Sequence, residues 1–472
     1  MTNRYTRKNK MNTIIKKSRK KIRGGKAIAS GGFGCVFSPA LKCKGSRKSD
    51  KNKISKIMSH KYAFKEYDEI NELKGELKDI HNYADYFLID DITICNPARL
   101  TNSDLQNFNK KCKALPKDNI KRKNINKNLD KLMIINMPNG GLPIDDYIYK
   151  YGSFSKILTA HNKLVGLLKH GIIEMNKKNI YHCDIKDSNV LIDNTDRTRL
   201  IDWGLSTKYI PFLNTTFPRT WNNRPLQFNV PFSVIIFTND FTEQYTQFIK
   251  KGGQQNKDEL TPFVMDYLKF WIKKRGKGHY NFINEIMFIL FSNDIDLNTL
   301  NETDMAKTIE TNFTIPYIIN YIVEILIHFT KLNKEGTVDI REYLDKIFIN
   351  IVDIWGFICV YFPLLDILYN NYDNLSPNQL KIFNYLKSIL ITYLYTPRVE
   401  KISLVNLYRD LDILGDLIKM ETHIKTPESR ELSTKNSSLQ ISTDSDTFKK
   451  SSNHNSKTIK IISKNLVLLS KK

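Results

Sequence analysis

The 472-residue sequence predicts an α+β fold, with strands gathered towards the N-terminal end and helices filling most of the remainder. Three observations carry this. Apolar runs bounded by turn residues recur at 28–37, 53–58 and 132–137, which marks strands. Apolar residues at helical spacing occupy 62–80, 263–272, 280–291 and 315–332. Between these groups, Val190-Leu191-Ile192 and Arg199-Leu200-Ile201 flank the turn Asp193-Asn194-Thr195-Asp196 and predict a short hairpin.

The first run, Ile28-Ala29-Ser30-Gly31-Gly32-Phe33-Gly34-Cys35-Val36-Phe37, reads as a strand that turns back on itself. Gly31 and Gly34 leave the backbone of that turn open to close approach, since neither carries a Cβ. In the next strand, Lys53-Ile54-Ser55-Lys56-Ile57-Met58, the alternating run singles out Lys56, ahead of Lys42, which follows the loop at a shorter distance. The helix at 62–80 places Glu66 and Glu69 on nearly the same face. Either could pair with Lys56, and Glu66 is preferred. Tyr86-Phe87-Leu88-Ile89 reads as strand-like, 91–130 as an insertion, and Leu132-Met133-Ile134-Ile135-Asn136-Met137 as a strand ending in Pro138-Asn139-Gly140-Gly141.

Chemistry concentrates around the hairpin. Tyr181-His182-Cys183-Asp184-Ile185-Lys186-Asp187-Ser188-Asn189 precedes it, and Asp202-Trp203-Gly204 begins eighteen residues after Asp184. A carboxylate there can accept a hydroxyl proton, a lysine two residues on can reach a phosphate, and an amide five residues on can ligate a metal. A second carboxylate beyond the hairpin can hold Mg²⁺. The pattern resembles the catalytic loop H-R-D-x-K-x-x-N and the D-F-G of eukaryotic-type protein kinases.

That resemblance runs in order over 26–420 and implies the bilobal protein-kinase fold: a small β-rich N-lobe at 26–136, interrupted at about 91–130, and a larger helical C-lobe at 137–420, with a helical insertion at about 238–345. It implies ATP and Mg²⁺ as cofactors. Ile28, Ala29, Ser30, Gly31, Gly32, Phe33, Gly34, Cys35 and Val36 would form the loop over ATP, with Ala29 where the family has its first glycine. Lys56, paired with Glu66, would grip the α- and β-phosphates. Asn136 and Met137, after Ile135, would form the hinge that recognises adenine. Asp184 and Lys186 would be catalytic, and Asn189 and Asp202 would hold the metal.

Further along, Asp353-Ile354-Trp355-Gly356 resembles the start of the buried C-lobe helix whose aspartate bonds the catalytic-loop backbone. Val230-Pro231-Phe232 stands in for A-P-E, with Phe232 replacing glutamate. Cys183 occupies the position where regulated members carry an arginine that pairs with an activating phosphate. A phosphate on Thr207, Thr215, Thr216 or Thr220 would lack that partner unless Arg219 or Arg224 supplied it. The segment is therefore expected to be held by packing against the insertion.

The net charge of +24 is unevenly placed: residues 1–26 carry eleven Lys or Arg and no acid. With 421–472, most of which is rich in Ser, Thr and Lys, this basic arm (1–25) is expected to remain disordered. The charge points to acidic partners, acidic protein substrates included. No helix-turn-helix, Cys/His finger or aromatic stacking motif is present, which argues against sequence-specific nucleic-acid binding. The run 348–369 is long enough to span a bilayer. Asp353, Asp366 and Pro363 within it favour a buried helix, since a central carboxylate costs roughly 2.5–3.5 kcal/mol in a membrane. No transmembrane segment is expected, and no apolar leader opens the chain.

The six cysteines show no C-x-x-C and read as reduced thiols of a cytosolic or nuclear protein, in preference to a metal set of Cys95, Cys112 and His81. The wealth of Lys, Asn and Ile, with the Asp202-Trp203-Gly204 variant, resembles serine/threonine kinases of giant DNA viruses. That implies an intracellular location in the host cytoplasm, with the nucleus or virion as alternatives. The function expected is transfer of the ATP γ-phosphate to protein Ser/Thr hydroxyls. A catalytically weak scaffold and a small-molecule kinase of the aminoglycoside or choline type are the alternatives.

Overall fold

Leu132–Pro138 is apolar along its length because both of its faces are covered. Residues 132 and 134 point to one side of a sheet and 133 and 135 to the other, as the two-residue period of a strand requires. The computed structural model describes residues 25–46, 50–214, 216–218, 220–291 and 302–423. The basic arm, the Ser/Thr-rich tail, Thr215 and Arg219 lie outside them. Two compact units result, one from Ile89–Asn139 and the residues up to Gly75, the other from Glu76–Leu88 and Gly140 onward.

The first unit is an antiparallel sheet of β1 (Lys26–Ser30), β2 (Gly34–Ser38), β3 (Lys53–Ser59), β4 (Thr93–Cys95) and β5 (Leu132–Pro138). Its order is β1-β2-β3-β5-β4. The helix His60–Leu77 follows β3 directly. On one face Met58, Ala63, Met133 and Ile135 pack with Tyr62, Tyr67, Ile94 and Met137. On the other, Phe37, Ile57, Leu132 and Ile134 meet Leu100, Leu105, Phe108, Leu115, Ile120 and Ile125.

The stretch expected as an insertion therefore does two jobs. It supplies β4, and residues 96–131 form the apolar layer over the sheet's second face. Each such buried side chain is worth about 1.5–3 kcal/mol over exposure. The nine basic residues Lys110, Lys111, Lys113, Lys117, Lys121, Arg122, Lys123, Lys127 and Lys131 all remain exposed. The segment is thus amphipathic in sequence but has no regular period, which hid its core role.

The cysteine expectation is corrected here. Cys35 is bonded to Cys112 and Cys43 to Cys95, leaving Cys183 and Cys359 as the free, buried thiols. Sequence separations of 77 and 52 residues leave no local spacing signal. The pairing arises only when residues 96–131 fold across the sheet, and it also removes the thiolates a metal site at Cys95 and Cys112 would need. Thiol titration of the unfolded, non-reduced protein is expected to find two reactive thiols per chain, and reductant should raise this to six. A count of six without reductant would overturn the pairing.

In the second unit, β6 (Leu142–Pro143), β8 (Val190–Ile192) and β9 (Thr198–Leu200) form a small sheet in the order β6-β8-β9, and β7 (Ile180–Tyr181) pairs with β10 (Thr207–Lys208). Residues 86–89 do not form a regular strand. Phe87 makes a single parallel bridge to Leu200, with Leu88 N–H donating to Leu200 O at 3.1 Å and Leu200 N–H to Tyr86 O at 2.8 Å. Helices dominate the rest. Ile349–Cys359 is buried at every position from Ile351 to Cys359, packed against Leu167–Ile172, Pro377–Tyr393 and the strand Ile180–Tyr181. By length and composition the helical runs Asp304–Phe329 and Arg341–Asn370 could each cross a membrane, but the apolar window of the second is wholly buried within the unit.

The 238–345 stretch folds as helices Asn239–Lys250, Lys257–Arg275, Tyr280–Phe291, Glu302–Ile309 and Ile315–Phe329, with a small hairpin near its end. Asn256 and Thr238 begin two of these helices by accepting a backbone N–H three residues on.

Candidate active site

In the first unit, the glycine-rich turn is closed by Gly31 N–H donating to Gly34 O at 2.9 Å. A Cβ on Gly34 would lie 2.8 Å from Ile57 O, so only glycine allows this approach of β2 to β3. Phe33 is 56% exposed and stacks on Tyr62 at 4.4 Å between ring centroids. Ser30 Oγ receives the N–H groups of Lys113 and Ala114 at 3.1 and 3.0 Å, so residues 96–131 brace the loop from outside. Ile28 and Ala29 are exposed and Val36 is half-buried, whereas Cys35 turns its side chain into the core and its disulfide. Cys35 is thus a structural side chain at a position expected to face the nucleotide.

Lys56 Nζ lies 2.7 Å from both carboxylate oxygens of Glu66. Glu69, the alternative, instead approaches Lys65 at 3.6 Å. Lys42 is exposed. The register that makes the pair is local: Lys56 is central in β3, opposite Ile135 in β5, and Glu66 lies on the helix that starts at His60. The Asn136 amide oxygen accepts from Ser55 Oγ at 2.5 Å and its nitrogen faces Cys43 Sγ at 3.4 Å. Its side chain is therefore committed to the fold. Met137 packs with the Met58 cluster.

In the second unit, Asp184 is 5% exposed and held from several sides. Lys186 Nζ and Asn189 Nδ2 donate to Oδ2 at 2.9 and 3.0 Å, and Asn229 Nδ2 donates to Oδ1 at 2.9 Å. Arg224 Nη2 lies 3.9 Å from Oδ1. Burial pushes the Asp184 carboxyl up, but the charges of Lys186 and Arg224 and the Asn229 amide outweigh it and hold it below the usual carboxylate range. Asp184 is then an ionised acceptor at neutral pH.

Asp184 N–H donates to His182 Nδ1 at 3.3 Å, which puts the imidazole proton on Nε2, facing Ile201 O at 3.0 Å. Burial lowers the His182 pKa and keeps the ring neutral. Ile201 N–H also donates to Asn189 O at 3.0 Å, which ties the exposed Asp202 to the metal-ligand candidate next to it in space. Asn189 uses Nδ2 in bonds to Asp184, which leaves its carbonyl oxygen for a cation. A carboxylate and an amide oxygen are the hard donors that Mg²⁺ prefers, so these residues fit that ion.

Cys183 and Asp202 both have positive φ, at 57° and 64°. Each costs on the order of 1–3 kcal/mol for a non-glycine residue and must be held by its surroundings. Asp353, fully buried on the central helix, holds the first: its oxygens accept from His182 N–H and Cys183 N–H, both at 2.8 Å. A Cβ at Gly356 would lie 2.6 Å from Ile185 O, so glycine lets this helix come against the loop. Burial raises the Asp353 carboxyl to about 6, and the two N–H groups keep it ionised at neutral pH. Asp353→Ala strands two buried N–H groups and should lower unfolding stability by roughly 2–5 kcal/mol. A urea midpoint unchanged from wild type would contradict this.

The fold and these contacts agree with what the family comparison finds. Residues 25–220 match the protein kinase domain. The match supports the eukaryotic-type protein kinase superfamily, the bilobal α+β fold and phosphotransfer to proteins. No curated protein matches the chain. The kinase-domain match ends before Arg224 and Asn229. These two site residues follow no fixed offset from the catalytic motif; sequence reasoning named Arg224 only as a phosphate partner and missed Asn229.

Proposed function

We propose that this protein is an ATP-dependent kinase that phosphorylates serine and threonine hydroxyls of proteins, acidic substrates included. The observation that carries the reading is the Asp184 carboxylate, ionised and fixed by Lys186, Asn189 and Asn229. A base in that state can take the hydroxyl proton as the new O–P bond forms and the bond from the γ-phosphorus to the β-bridging oxygen breaks. Lys186, beside Asp184, would stabilise charge on the transferring phosphoryl. Asn189 and Asp202 would hold Mg²⁺, which when bound neutralises phosphate charge. In the first unit, Lys56, oriented by Glu66, would hold the α- and β-phosphates, and the loop of Gly31 to Gly34 would offer them backbone N–H groups.

Lys186 and the Gly32-Phe33-Gly34 turn favour a protein kinase over a small-molecule kinase. The resemblance to kinases of giant DNA viruses, and a place in the host cytoplasm, nucleus or virion, belong to the same proposal. Of these places, the disulfides Cys35–Cys112 and Cys43–Cys95 favour the virion over the reducing cytoplasm and nucleus. The test is purified protein with labelled ATP and Mg²⁺, offered a basic protein, casein and a panel of small alcohols. Label on protein Ser or Thr is expected. Label on a small alcohol, or none anywhere, would overturn the proposal.

A further inference from the structure

Cys183 precedes the candidate base where an arginine would give a phosphate its partner, and burial pushes its thiol pKa up, so it stays uncharged. A cation nevertheless reaches this loop. Arg224, 3% exposed, donates from Nη2 to Cys183 O at 2.7 Å and from Nε to Gln227 Oε1 at 2.6 Å. Five residues on, the fully buried Asn229 donates from one nitrogen to Asp184 Oδ1 at 2.9 Å and to Ile185 O at 3.2 Å. The chain between Asp202 and Asn229 thus returns to the catalytic loop through two side chains. A buried guanidinium is costly unless its geometry is fixed.

Cys183 O and Gln227 hold the guanidinium, and the helical insertion holds the backbone that carries it. Trp271, fully buried on Lys257–Arg275, donates from Nε1 to Arg224 O at 3.0 Å. His279 N–H donates to Leu226 O at 2.9 Å. Phe228 packs against the rings of His279 and Phe282, with centroids 5.1 and 4.6 Å away. Its carbonyl accepts from Trp355 Nε1 at 2.9 Å on the central helix.

We propose that Arg224 and Asn229 are positioning residues for Asp184, and that the insertion, gripping Arg224 through Trp271, replaces a phosphate in ordering the segment that carries them. This rests on the kinase reading above. Activity should then need no phosphorylation of Thr207, Thr216 or Thr220.

The test compares wild type before and after phosphatase treatment with Arg224→Met, Arg224→Lys and Trp271→Phe, measuring kcat and KM for ATP separately. Phosphatase should leave the wild-type rate within about twofold, whereas Arg224→Met should lower kcat about tenfold to a hundredfold with KM for ATP unchanged. Arg224→Lys should recover part of the loss, and Trp271→Phe, which removes the indole donor together with part of the ring, should cost about threefold to tenfold. Hydrogen exchange at residues 220–229 should rise in both Arg224→Met and Trp271→Phe.

A tenfold loss on phosphatase treatment, or folded Arg224→Met with full kcat, would overturn the proposal. If Arg224→Met does not fold, the rate and exchange of Trp271→Phe decide. If the wild type phosphorylates nothing, the kinase reading fails separately, and unchanged exchange in Trp271→Phe would still sink the wiring proposed here.

Discussion

Asp184→Asn should lower phosphotransfer by roughly 10²–10⁴ while leaving ATP binding nearly intact. The amide keeps the size of the carboxylate and can still meet some of its donors, but it cannot accept the substrate proton. Of the groups around it, Lys186, Arg224 and Asn229 donate and none can serve as a replacement base. His182 is neutral and spends both ring nitrogens on the backbone of Asp184 and Ile201. The measurement is single-turnover phosphotransfer beside nucleotide binding by calorimetry. A variant that keeps more than about a tenth of the wild-type rate would place the base elsewhere.

Lys56→Met should abolish measurable turnover, with a loss of at least about 10² in kcat/KM. The lysine is 2.7 Å from both Glu66 oxygens, with only 11% of its side chain and 15% of that of Glu66 exposed. Removing the cation therefore takes away a phosphate ligand and leaves a poorly solvated carboxylate that repels the nucleotide. Two losses of the same sign are expected to act together. The stabilisation that ATP-Mg²⁺ confers against heat should vanish in this variant and survive in Lys42→Met, whose lysine is exposed. The reverse outcome would move the phosphate site from β3 to the loop before it. Asp202→Asn should also stop turnover, through loss of Mg²⁺, and excess metal should rescue it in part.

Much of the candidate site was legible because its residues are neighbours along the chain. Asp184, Lys186 and Asn189 lie within six residues, and their contacts at 2.9 and 3.0 Å follow from one loop conformation. Lys56 and Glu66 are ten residues apart, joined by a strand running straight into a helix. Choosing Glu66 over Glu69 was harder, because residues three apart share a helix face, and the entry angle of the chain at His60 decides which one meets the lysine. Asn189 and Asp202 were singled out by their spacing across a hairpin, and its register, Val190 opposite Leu200, holds that spacing in place.

By itself, then, the sequence determined the strands near 28–37, 53–58 and 132–137, the hairpin of 190–200, the helices near 62–80, 263–272, 280–291 and 315–332, and the spacing of Asp184, Lys186 and Asn189, since each depends on backbone periods and short offsets that the order of residues dictates. Only the tertiary structure decided which distant segments complete them. Asn229 meets Asp184 from 45 residues away, Asp353 meets Cys183 from 170, and Cys35 meets Cys112 across 77. Residues 96–131 became a core layer and the 238–345 helices a clamp because their apolar faces had to be buried somewhere. Where a face is buried depends on complementary packing rather than on any interval in the sequence, so no spacing rule could have named those partners.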